Sequence, residues 1–187
     1  QFLRTLAFTT VTGSNGVTSL VGTSGIDTAT IVTLASNVFV GGNTDNDVVT
    51  TALGTGGNNL SNYDVRMGGG DDTFTLGNSL LSSFISLDGQ TLANDGVDTF
   101  VGGGNLIINS EVVGRGGSDV FTGLALNGST VNGNTGDDNI TLVSSSASFV
   151  YGGQGTDVIT TTGGGAANTY SSMLINGNKG SDTITLL

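Results

Sequence analysis

Apolar residues recur along this 187-residue chain in short bursts of period two, without the three-to-four spacing of a helix. The clearest bursts flank aspartates. Two residues after eight of these stand Ala29, Val49, Phe74, Phe100, Phe121, Ile140, Ile159 and Ile184, all apolar. One further on stand Thr30, Thr50, Thr75, Val101, Thr122, Thr141, Thr160 and Thr185. Seven residues before the same aspartates stand Leu20, Val40, Val65, Thr91, Val112, Val131, Val150 and Ile175. The alternation predicts strands. Constancy of side-chain type within each column predicts that corresponding strands stack in register, their inward residues forming one continuous core.

Between the two strand columns lies a glycine-rich hexapeptide of the pattern G-x-x-G-x-D. It runs from Gly22 to Asp27, Gly42 to Asp47, Met67 to Asp72, Ala93 to Asp98, Gly114 to Asp119, Gly133 to Asp138, Gly152 to Asp157 and Gly177 to Asp182. Successive aspartates are 20, 25, 26, 21, 19, 19 and 25 residues apart, the length of one solenoid coil with room for variable loops. Each copy is predicted to be a strand, a Gly-Asp corner, a strand and a looser return loop, such as 126–129, 144–146 or 162–167. The expectation is an all-β, single-domain parallel β-solenoid over residues 1–187, of about eight coils with one corner per coil. Residues 1–17 form an atypical first coil or cap. Eight coils at roughly 4.8 Å give a rod about 35 to 40 Å long. Phe39, Phe74, Phe100, Phe121 and Phe149 are expected to stack in its core.

Composition then narrows the chemistry. The chain has 33 glycines and no cysteine, proline, histidine or tryptophan, which excludes disulfides, Cys/His zinc sites and histidine-based catalysis. Four cations, Arg4, Arg66, Arg115 and Lys179, face fifteen acids, so no basic stripe exists to hold nucleic acid. No window of about 18 apolar residues is present to span a membrane. The cations are dispersed, and Tyr63, Tyr151 and Tyr170 fall at unrelated repeat positions, so an enzyme is not expected. Lack of cysteine fits an exported, secreted or cell-surface protein. The first residue is Gln, which suggests a matured product or a fragment.

The corner resembles the RTX, or haemolysin-type, calcium-binding repeat G-G-x-G-x-D-x-U-x, which Gly152 to Thr160 matches fully. Other copies depart at the second glycine, where Asn43, Asn94, Asn134 and Asn178 stand, with Thr23 and Arg115 in two more. Asparagine tolerates left-handed backbone, whereas Thr23 and Arg115 fit it less well. The resemblance implies Ca2+ between successive corners, held by Asp27, Asp47, Asp72, Asp98, Asp119, Asp138, Asp157 and Asp182. Loop carbonyls among Gly133, Gly152, Gly155, Gly177 and Gly180 would complete the shell, since calcium takes six to eight oxygens. Read from the residues alone, the alternative is that each aspartate caps its turn by accepting backbone N–H bonds. Arg66, Arg115 and Lys179, in or beside corners, could each replace an ion locally.

The function expected is a calcium-stabilised extracellular structural solenoid, a self-associating segment of a surface layer, adhesin stalk or fibre. Its partners would be further copies of itself, as a homo-oligomer or head-to-tail filament, and cell-surface polysaccharide. The alternatives are a virion fibre or capsid-decoration protein, and an ice- or carbohydrate-binding module. The threonine column suits ice poorly, because the neighbouring column mixes Thr, Val and Asn.

Overall fold

The computed structural model describes residues 6–12, 18–31, 36–52, 59–88, 96–162 and 169–187. They form an all-β protein, with no helix among the described residues and two large sheets that are almost wholly parallel. The strands leading into the corners are Thr18–Val21, Val38–Thr44, Tyr63–Gly69, Phe84–Ser86, Glu111–Arg115, Thr130–Thr135, Phe149–Gln154 and Leu174–Lys179. They pair in chain order, each with its counterpart in the next repeat. Thr9–Thr12 closes this sheet antiparallel to Thr18–Val21, within the stretch expected to be atypical.

The strands leaving the corners are Asp27–Ile31, Val48–Thr51, Thr73–Thr75, Thr99–Val101, Val120–Asn127, Asn139–Ser146, Val158–Thr161 and Thr183–Thr185, with Leu6–Ala7 before them. They too are parallel and consecutive. Pairing puts Ala29, Val49, Phe74, Phe100, Phe121, Ile140, Ile159 and Ile184 in one column. All but Ile184 are buried. The rings of Phe74 and Phe100 stack, with centroids 5.8 Å apart.

What the sequence suggests to be a loose return loop contains a third ladder. Leu60–Ser61, Leu80–Leu81 and Leu106–Ile108 pair on to the far ends of Val120–Asn127 and Asn139–Ser146, and then to Tyr170–Ser171. Their inward residues Leu60, Leu80, Ile107 and Leu126 are buried, which is what makes strands of two or three residues hold. Of the expected loop 162–167, residues 163–167 lie outside the described residues.

Two expectations are corrected. In the fourth repeat Ile85, rather than Thr91, pairs with Val65 and Val112 and fills the inward column. The N–H of Leu87 then donates to the Val113 carbonyl at 3.0 Å, and Asp98 follows the inward Ile85 by 13 residues in sequence instead of seven. Thr91, Ala93, Asn94 and Asp95 lie outside the described residues. Phe149 is not core: its neighbour Val150 takes the inward position, leaving Phe149 47 % exposed, and Phe39 is half-buried beside inward Val38 and Val40. Period two allows one parity only, and an aliphatic neighbour already holds it.

Candidate functional site

The eight corner aspartates share one structural position. Seven of them, Asp27 to Asp157, are at most 1 % exposed, and Asp182 is half-buried. The backbone N–H of each of the first seven donates to Oδ1 of the aspartate in the next repeat: Asp27 to Asp47 at 2.8 Å, Asp47 to Asp72 at 2.7 Å, Asp72 to Asp98 at 2.7 Å and Asp98 to Asp119 at 3.0 Å. The series continues from Asp119 to Asp138 at 2.8 Å, Asp138 to Asp157 at 2.9 Å and Asp157 to Asp182 at 3.0 Å. These N–H groups sit at the start of strands, where the ladder has not yet supplied a partner, so the carboxylate replaces a strand bond.

The glycines make this geometry possible. A Cβ on Gly133, Gly152 or Gly177 would collide with Oδ2 of Asp138, Asp157 or Asp182, because the carboxylate folds back onto the bare Cα. Gly155 and Gly180 have φ of +145° and +148°, and a side chain there would strike the carbonyl of Gly136 or Gly155 in the preceding repeat. The second-glycine substitutions also keep the left-handed backbone, with φ of 103° at Asn43, 76° at Asn134 and 70° at Asn178. Arg115 adopts it as well, at 88°, its Nε held by Ser86 Oγ at 2.8 Å. Thr23 does not; its N–H and Oγ1 both bond Asp27 Oδ2.

An outer row runs beside the inner one in the opposite sense. Asn46 Oδ1 accepts the Asp71 N–H and Asp71 Oδ1 the Val97 N–H, each at 2.9 Å. Ser118 Oγ accepts the Asp137 N–H at 3.1 Å, and Asp137 Oδ1 the Thr156 N–H at 2.7 Å. Inner side chains reach to the preceding repeat and these outer ones to the following repeat, so the corners of Asp47, Asp72, Asp119 and Asp138 are tied in both directions.

Burial sets the electrostatics. It pushes the Asp47 carboxyl up to about 6, against the opposing bond from the Asp27 N–H, with the Asp27 and Asp45 carboxylates adding to the rise. Asp72 goes to about 7 for the same reasons, with Asp47, Asp88 and Asp71 as its acidic neighbours. Asp157 is also raised, chiefly by burial. Oδ2 of Asp47, Asp72 and Asp157 is buried with no hydrogen-bond partner among the described residues.

As arranged, these residues do not fit a calcium row. Calcium needs six to eight oxygens converging on one point. Among the described residues no three acidic side chains converge in that way. Oδ1 of each inner aspartate from Asp47 onward faces an N–H, a dipole that repels a cation, and Oδ2 of Asp138, Asp157 and Asp182 lies against a glycine Cα. Nor do the cations substitute for an ion: Arg66 points outward to Asp64, Arg115 bonds Ser86, and Lys179 is exposed.

A second column escapes the sequence reading. At the opposite corner Asn37, Asn62, Ser82, Asn109, Gly128, Ala147 and Ser172 are all left-handed, with φ between 46° and 61°. The residues that follow include Ser83, Ser110, Ser129 and Ser148, all buried. The N–H of Tyr63, Ser83, Ser110 and Ser129 donates to the next serine Oγ at 3.0 to 3.2 Å. Each hydroxyl in turn donates to the carbonyl two residues before it, as from Ser83 to Leu81 at 2.7 Å. The available signal was a serine nine residues before Asp119, Asp138 and Asp157.

Beside this serine corner lies an open groove of about 740 Å³, lined among others by Asn62, Asp64, Arg66, Phe84, Asn109 and Glu111. Asp64, Phe84 and Glu111 are neighbours in register. Arg66 Nε donates to Asp64 Oδ1 at 3.0 Å, and its guanidinium stands 5.8 Å from the centre of the Phe84 ring. The chain matches no protein-family model, no curated protein and no solved structure.

Proposed function

We propose that the chain is a parallel β-solenoid with a structural role outside the cell, a segment of a surface layer, adhesin stalk or fibre that joins end to end with further copies. The observation that carries this reading is the unbroken aspartate ladder from Asp27 to Asp182, with the serine ladder across from it. Two lines of side-chain bonds along the stacking direction, added to the strand ladders, stiffen a rod. The strands Leu174–Lys179 and Thr183–Thr185 pair on one side only among the described residues, with Leu174 and Ile184 exposed by 47 % and 44 %. An exposed edge of this kind pairs with any further parallel strand; supplied by a second copy, the contact is head-to-tail and propagates. Absence of cysteine agrees with an oxidising surrounding. Sedimentation and electron microscopy over a concentration series test the reading. Linear end-to-end species are expected, and they shrink on Ile184→Lys. A monodisperse monomer at the highest concentration contradicts it.

The groove favours carbohydrate binding as a second reading. Planar amides, a paired guanidinium and carboxylate, and an aromatic ring are the groups that sugars engage. Titration with cell-surface polysaccharide fragments, with Phe84→Ala as control, decides it: binding lost in the variant supports a carbohydrate-binding face, and no heat of binding removes it.

A further inference from the structure

The outward column of the sheet that enters the corners plays no part in the core, yet it carries rings. In register along the rod stand Phe39, Asp64, Phe84, Glu111, Thr130 and Phe149, one per repeat. None of the six is buried. Phe149 lies parallel to Tyr151 with ring centroids 6.4 Å apart, and the Arg66 guanidinium stands 5.8 Å from the Phe84 ring, so both rings are held in place. Two residues before Phe39, Asp64, Phe84 and Glu111 stand Asn37, Asn62, Ser82 and Asn109, all exposed at the left-handed corner. Asn62 Nδ2 donates to Asn37 Oδ1 at 3.1 Å, which aligns two of these amides along the rod. The groove at Asn62, Phe84 and Asn109 is therefore the middle of a longer strip, with rings and acids in one row and amides and a hydroxyl in the next.

Spacing and charge select the occupant. At about 4.8 Å per rung, Phe39 and Phe84 stand two rungs or about 10 Å apart, and Phe84 and Phe149 three rungs or about 14 Å. An extended β-1,4-linked sugar chain advances by nearly one rung per sugar, so all three rings fall beneath sugars of a single chain. Its C–H faces meet the rings, and its hydroxyls meet amides and carboxylates. A protein partner fits worse, because Asp64 and Glu111 interrupt the rings and an apolar face would bury both carboxylates. A second copy, with its own formal charge of -11, would set acids against acids. The cation beside the strip, Arg66, is already paired with Asp64, which disfavours an acidic polysaccharide.

We propose that this strip is an extended track for one uncharged, linear, β-1,4-linked polysaccharide chain, lying along the rod from Phe39 through Phe84 to Phe149. It rests on the carbohydrate reading of the groove and lengthens it from one subsite to six, one for each rung from Phe39 to Phe149.

Calorimetric titration of the wild type with β-1,4-linked glucose and mannose oligosaccharides, from disaccharide to hexasaccharide, tests the track. Mannuronate oligosaccharides of the same linkage serve as acidic counterparts. Affinity for one uncharged series is expected to rise about tenfold or more from disaccharide to hexasaccharide, and the mannuronate chains bind about tenfold more weakly or less. Phe39→Ala and Phe149→Ala each weaken the hexasaccharide about twofold to tenfold and leave the disaccharide, held at Phe84, unchanged. Phe39→Tyr and Phe149→Tyr keep a ring and keep the affinity, which separates lost stacking from lost fold. Equal affinity at every length, with a loss in Phe84→Ala alone, overturns the track and leaves the groove a carbohydrate site. No binding by either uncharged series overturns both. Mannuronate chains that bind as tightly as the uncharged ones overturn the assigned ligand class.

Discussion

The N–H of Asp138 donates to Asp157 Oδ1 at 2.9 Å, and nineteen residues separate the two in sequence. That bond is the unit of the column. It joins the first backbone group of one strand to a side chain of the next, so a residue type chosen for a turn also sets the register of the repeats. From it follow predictions about what each corner tolerates.

Gly152 leaves no room for a side chain, since Asp157 Oδ2 and Cγ lie against its Cα. Gly152→Ala is expected to lower stability by about 2 to 4 kcal/mol, because either the carboxylate leaves its N–H or the strand shifts. Chemical denaturation reads this, and a loss below about 0.5 kcal/mol contradicts the packing described.

Ser129 accepts the Ser110 N–H at 3.1 Å and is buried. Ser129→Ala strands that N–H in the interior and is expected to cost about 1 to 3 kcal/mol. Exchange of the Ser110 amide with deuterium should quicken in the variant, and an unchanged rate contradicts the serine ladder.

Phe100 is fully buried and stacked on Phe74, whereas Phe149 stacks outward on Tyr151 with ring centroids 6.4 Å apart. Phe100→Ala should cost about 3 to 5 kcal/mol and Phe149→Ala about 1 kcal/mol or less. Equal losses in the two variants would refute the assigned parity.

The residues themselves explain what was legible. Val65, Val112, Val131 and Val150 keep one inward position at a fixed distance before their aspartates, so the stacking of two ladders can be read by alternation alone. The third ladder is hidden because strands as short as Leu60–Ser61 and Leu80–Leu81 carry no period, and their distance from the corner varies. Insertion in the fourth repeat throws Ser83 and Ile85 out of phase, which conceals the serine column and shifts Thr91 into a place it does not hold. Phe149 and Phe39 mislead because aromatic character outweighs parity when a column is judged by residue type. For the aspartates, composition alone does not separate a metal from an N–H as the partner of Oδ1, and the family resemblance draws the expectation toward calcium; in the structure the Asp138 N–H points at Asp157 Oδ1.

The central claim is that side-chain ladders, rather than ions, hold the repeats together. Circular dichroism and thermal unfolding in excess chelator and then in millimolar calcium test it most directly. The account predicts the same strand signal and a Tm unchanged to within about 2 °C. Specific ions at about a hundred times their dissociation constant would add about 2.7 kcal/mol, roughly 5 to 10 °C for a chain of this size. Strand signal that collapses in chelator and returns with calcium would contradict it.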